Sequence, residues 1–78
     1  IAVYPNPTNS AITFNVSEFQ VSNTDIQVFN SSGQPVIKMA FSAVSGEYKL
    51  DVSHLSAGVY FLHATNAKNH YVGKFIKQ

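Results

Sequence analysis

The sequence predicts an all-β fold: a small, immunoglobulin-like antiparallel β-sandwich of about seven strands. Three observations lead there. Apolar residues recur at every second position between short polar clusters, the period of strands that bury one face. No stretch combines strong helix formers with a helical period, Ser17 to Ser22 included, so no helix longer than a turn is expected. The 78 residues, 45% hydrophobic and 13% aromatic, suit one compact sandwich and do not fit a disordered tail.

Ile1 to Tyr4 reads as a short opening strand, stopped by Pro5 and Pro7, which cannot donate to a ladder. Ala11 to Val16 turns Ile12, Phe14 and Val16 inward and Thr13 and Asn15 outward. Asp25 to Phe29 and Pro35 to Phe41 form a hairpin around Asn30-Ser31-Ser32-Gly33, where Gly33 can take the positive φ of a tight turn. Glu47 to Val52 alternates Tyr48, Leu50 and Val52 inward with Glu47, Lys49 and Asp51 outward. Leu55 then tucks under a turn that Gly58 closes, again at positive φ.

Val59 to Thr65 and His70 to Ile76 make a second hairpin across Asn66-Ala67-Lys68-Asn69. Tyr60, Leu62 and Ala64 face its core side, while Val59 and Phe61 on the other side predict a central strand. The expected core is Phe14, Val28, Tyr48, Leu50, Val52, Leu55, Tyr60 and Leu62. The organisation expected is a single domain over residues 1–78, cut from a longer secreted precursor, since the chain opens without Met or a signal-peptide pattern.

Charge is sparse: five basic residues against four acids give a formal +1, with no basic run to grip phosphates, so nucleic acid is not an expected partner. No apolar run reaches the roughly 20 residues of a transmembrane helix. The absence of Cys removes disulfides, thiolate metal sites and cysteine nucleophiles together.

Catalytic constellations are not expected either. Glu47 and Asp51 point to solvent beside Lys49, Glu18 and Asp25 form no pair with them, and no Gly-x-Ser-x-Gly elbow occurs. Of His54, His63 and His70, the last two can approach across the second hairpin. A metal site would need a third ligand, for which Asp51 or Glu47 is only a guess, so neither metal nor cofactor is expected. Phe29, Phe61, Tyr71 or Phe75, if exposed, could build a sugar-binding platform, but in so small a domain such rings are needed to fill the core.

Four segments carry a resemblance by their order: Val3-Tyr4-Pro5-Asn6-Pro7, Phe29-Asn30-Ser31-Ser32-Gly33-Gln34-Pro35-Val36, Leu55-Ser56-Ala57-Gly58-Val59-Tyr60-Phe61 and Lys74-Phe75-Ile76-Lys77. Together they span nearly the whole chain, which resembles the type A C-terminal sorting domain of the type IX (Por) secretion system of Bacteroidota. Gln78 stands where that family often has Lys or Arg, and Gln34-Pro35 replaces a commoner charged pair.

The resemblance implies a non-catalytic signal that carries an N-terminal cargo domain through the periplasm to the cell surface or medium. Its partners would be the type IX outer-membrane translocon and shuttle proteins. A sortase-like surface protease would then remove it, often with attachment of the cargo to an anionic lipopolysaccharide. A folded signal presents a fixed surface, and recognition is expected at Leu55, Gly58 and Tyr60 in one turn and at Lys74, Phe75, Ile76, Lys77 and Gln78 at the end, with Pro5, Asn6, Pro7 and Gly33 as structural motif residues. Edge pairing of the last strand is one plausible mode. The competing function is an accessory immunoglobulin-like module, binding carbohydrate or the cell surface and retained on a secreted enzyme.

Overall fold

Strands form wherever the two-residue alternation is cleanest. The computed structural model describes residues 3–15, 23–42, 47–67 and 70–78. Within them run β1 (Val3–Tyr4), β2 (Ala11–Asn15), β3 (Asn23–Asn30), β4 (Pro35–Ser42), β5 (Glu47–Asp51), β6 (Gly58–Thr65) and β7 (His70–Lys77). Among the described residues there is no helix. Ile1 and Ala2, Val16 with the segment 17–22, residues 43–46, and Lys68 and Asn69 of the expected second turn lie outside the described residues.

All pairings between strands are antiparallel, and they build a three-stranded sheet ordered β1-β2-β5 and a four-stranded sheet ordered β4-β3-β6-β7. The all-β expectation holds. Both expected hairpins form, β3 with β4 and β6 with β7, and β6 is central, between β3 and β7. A register shift between Val28 and Phe29 leaves Val36 as an extra residue on β4. Pro35 is tolerated there because β4 is an outer strand of its sheet.

The facing sheets bury Ile12, Phe14, Ile26, Val28, Leu50, Val52, Tyr60, Leu62, Ala64 and Phe75. Six of the eight expected core residues are among them: Phe14, Val28, Leu50, Val52, Tyr60 and Leu62. Tyr48 and Leu55 are only partly buried, packed against the core from its margin. Tyr48 lies there because its ring meets Phe14 at 5.6 Å while its hydroxyl reaches Met39 Sδ at 3.9 Å. Phe75, directly opposite Tyr60 across the β6–β7 ladder, stacks on it with ring centroids 5.5 Å apart.

Candidate functional site

The β3–β4 turn is organised by one side chain. Asn30 Oδ1 accepts from the amides of Ser32 and Gln34, both at 3.0 Å, and Gly33, at φ 87°, donates its own amide to the Asn30 carbonyl. Only a residue without Cβ takes that conformation at no cost, which is why Gly33 ends the turn.

The segment from Asp51 to Tyr60 is a second built turn. Asp51 Oδ1 accepts from the Ser53 amide at 2.9 Å, and hydrogen bonds from Ser53 hold its carboxyl below the ordinary Asp value. The Leu55 amide donates to the Val52 carbonyl at 3.0 Å, which seats the Leu55 side chain against the core. Tyr60, though buried, satisfies its hydroxyl by donating to the Ser56 carbonyl at 2.7 Å, an arrangement like the tyrosine corner of immunoglobulin-type sandwiches. Gly58 stands at φ 154°, the positive φ expected of it.

In β7, alternation separates two faces. Gly73, Phe75 and Lys77 point into the sandwich, and Val72, Lys74 and Ile76 point out. Lys77, expected from sequence to belong to the terminal recognition segment, is only 7% exposed; its ammonium donates to the Gln78 carbonyl oxygen at 3.0 Å. Phe75 is fully buried, so it contributes no ring to a surface platform. Its phase in the strand, shared with Lys77, dictates both results.

The outer edge of β7 is also covered, which the sequence did not reveal. The Ile76 amide donates to Asn6 Oδ1 at 2.9 Å, and Asn6 Nδ2 donates to the Lys74 carbonyl at 3.1 Å. One residue pair later, the Thr8 amide donates to the Ile76 carbonyl and the Gln78 amide to the Thr8 carbonyl, both at 2.8 Å. Asn6 thus imitates a strand residue with its side-chain amide, and Thr8 continues as a short parallel bridge to Lys77. Pro5 and Pro7 fit this strap because the bonds it makes use Asn6's side chain and Thr8's backbone, not a proline amide. Pairing of a partner strand with the Lys74 to Gln78 edge therefore meets an occupied edge.

The four ordered segments converge. Gly58 lies opposite Lys77, Val59 opposite Ile76, Tyr60 opposite Phe75 and Phe61 opposite Lys74. On the other side of β6, Asn30 is opposite Tyr60, so the β3–β4 turn joins the same end, and Asn6 closes it beyond β7. The predicted recognition residues divide accordingly. Leu55, Tyr60, Phe75 and Lys77 are built into the fold, whereas Gly58, Lys74, Ile76 and Gln78 are exposed.

The outward face of the four-stranded sheet carries apolar residues: Val72 is 48% and Ile76 39% exposed, beside half-buried Val59 and Phe61. Phe29 and Phe61 with His63, Asn30, Ser31 and Gly33 line an open cleft of about 290 Å³. The His63 ring meets Phe29 edge-on at 4.8 Å, and its Nδ1 lies 2.9 Å from His70 Nε2. Burial, then the neighbouring His70, lowers the His63 pKa below the ordinary imidazole value. The guessed third ligands are elsewhere: Glu47 and Asp51 belong to β5 of the opposite sheet, where Glu47 accepts the Tyr4 hydroxyl. Among the described residues no helix is long and apolar enough to cross a membrane.

Against known proteins, the family model described as the secretion system C-terminal sorting domain matches residues 2–78. A search of the curated proteins finds no match.

Proposed function

Because the chain belongs to the family of type IX secretion C-terminal sorting domains, we propose that its convergent end is the surface by which the translocon and its shuttle proteins select the attached cargo. The family implies interaction with the type IX machinery and a secreted or cell-surface cargo. The observation that carries the finer reading is the meeting of four segments, dispersed over the sequence, around Tyr60, Phe75 and Asn6.

In this reading the side chains divide their work. Tyr60, Phe75, Lys77 and Leu55 hold the end in shape, and Gly58, Lys74, Ile76 and Gln78 face the partner. Recognition reads a side-chain surface, because the backbone edge of β7 at Lys74 and Ile76 is taken by Asn6 and Thr8. The cargo lies N-terminal to the domain in a longer precursor and crosses the periplasm with it. A sortase-like protease then cuts the domain away without any catalytic contribution from it.

A reporter with its own inner-membrane signal peptide, fused ahead of this chain in a host with the type IX machinery, tests the reading. The intact fusion is expected at the surface or in the medium, freed of the domain. Lys74→Ala with Ile76→Ser is expected to leave the reporter in the periplasm while the purified domain keeps its far-ultraviolet spectrum and denaturation midpoint. If the intact fusion stays periplasmic while another sorting domain exports the same reporter, the accessory binding module is the better description. If the folded double variant exports normally, the recognition surface lies elsewhere.

A further inference from the structure

The β6–β7 register sets His63 opposite Val72 and His70 opposite Thr65, so the two imidazoles are diagonal neighbours on the outward face. Their nitrogens, His63 Nδ1 and His70 Nε2, are 2.9 Å apart, with ring centroids at 5.0 Å and ring planes tilted by 36°. Both side chains reach solvent: His63 is half-buried and His70 is exposed. Phe29 meets the His63 ring edge-on.

We propose that His63 and His70 form a two-imidazole site for a tetragonal divalent transition-metal ion, Cu2+ foremost and Ni2+ second, with the imidazoles in adjacent positions and solvent filling the rest. The separation selects the geometry. At metal–nitrogen distances of about 2.0–2.1 Å, nitrogens 2.9 Å apart subtend about 90° at the ion, the angle between neighbouring ligands in square-planar or octahedral coordination. A tetrahedral Zn2+ would need them at about 3.3–3.4 Å and would need more protein ligands to compete. Among the described residues no cluster of three or more His, Cys, Asp or Glu offers such a set. The Irving–Williams order then places Cu2+ ahead of Ni2+.

Without the ion one ring nitrogen donates a hydrogen bond to the other. Binding requires a lone pair from each, so the donor ring gives up that hydrogen and takes one at its other nitrogen through solvent, leaving both rings neutral. Each ring then tilts about its terminal side-chain torsion so that the lone pairs converge on one point, with the two nitrogens kept near their 2.9 Å separation. Exposed strand positions permit this motion, since neither ring is locked into the core.

Calorimetric titration of the 78-residue chain with Cu2+ in a buffer that does not chelate it tests the site, beside His63→Ala, His70→Ala, the double variant and His54→Ala, which removes an exposed imidazole in the turn after β5. One equivalent is expected, bound at least about tenfold more weakly in either single variant and unchanged in His54→Ala. The double variant should bind more weakly still, yet by less than the two single losses combined, because the chelate is lost with its first ligand. Electron paramagnetic resonance of the Cu2+ form should show coupling to two imidazole nitrogens, and should lose it in both single variants. Unchanged affinity in the single variants, additive losses from independent one-histidine sites, or Zn2+ binding as tightly as Cu2+ would each overturn the assignment. None of these results bears on export.

Discussion

Replacing Asn6 by Ala removes the strap from the edge of β7 while leaving both prolines in place. Two hydrogen bonds go with it, the one accepted from the Ile76 amide at 2.9 Å and the one donated to the Lys74 carbonyl at 3.1 Å. A net hydrogen bond contributes about 0.5–1.5 kcal/mol, which sets an upper bound of about 3 kcal/mol for the pair. Asn6 is exposed, so water can replace part of each bond, and a loss of about 1 kcal/mol is expected. For a domain of this size that lowers the melting temperature by about 4–8 °C. Urea titration of Asn6→Ala beside Asn9→Ala, an exposed Asn in the same loop, measures the loss. Amide exchange locates it: the Ile76 amide should lose protection, while those of Phe75 and Lys77, which by strand alternation face β6, should change less. An unchanged midpoint together with unchanged exchange at Ile76 would refute the view that Asn6 acts as a strand residue.

Two further substitutions probe the turn from Asp51 to Tyr60. At Gly58, a Cβ would meet nothing within 4 Å, so the penalty comes from backbone at φ 154° and not from collision. Gly58→Ala and Gly58→Val should both cost about 1–3 kcal/mol by denaturant titration, and a Val penalty far above the Ala one would point to a clash instead. Asp51, whose folded pKa is lowered by its hydrogen bonds from Ser53, contributes stability that is present above the ordinary carboxylate pKa and lost as pH falls through the lower folded value. The stability advantage of the native chain over Asp51→Ala should therefore hold near neutral pH and shrink as the solution is acidified below 3.8; an advantage independent of pH would exclude the charge as its source.

Strands and hairpins were legible because period two survives in them almost unbroken. Tyr60, Leu62 and Ala64 announce the buried face of β6, and Gly33 and Gly58 mark turns whose backbone needs a positive φ. β7 was harder, since apolar residues sit on both of its faces, Tyr71 and Phe75 on one, Val72 and Ile76 on the other. Alternation alone cannot choose between two apolar phases; the register against β6 does, and it buries Lys77 with Phe75. The strap was invisible for another reason. Asn6 bonds to residues 68 and 70 positions away, through a side chain whose local reading, a proline-flanked turn, was already sufficient. His63 and His70 stood in a recognisable hairpin, but their diagonal contact depends on the pairing of Thr65 with His70.

The two faces of β7 also separate what holds the domain together from what the proposed recognition would read. Its inward residues are bound to the stability of the whole, for a buried aromatic ring such as Phe75 is worth about 3–5 kcal/mol, a large part of the 5–15 kcal/mol typical of a domain. Its outward residues carry little of that burden, because exposed Lys74 and Ile76 leave few atoms unpacked when changed. Under the proposed reading, the outward set could therefore vary without unfolding the domain, whereas unfolding the domain would disperse that surface without altering any residue in it. Deletion of Lys74 to Gln78 removes both faces at once, along with the partners of Asn6 and Thr8. A truncated chain that fails to be exported thus reports on folding as much as on recognition, and only substitutions confined to the outward face separate the two.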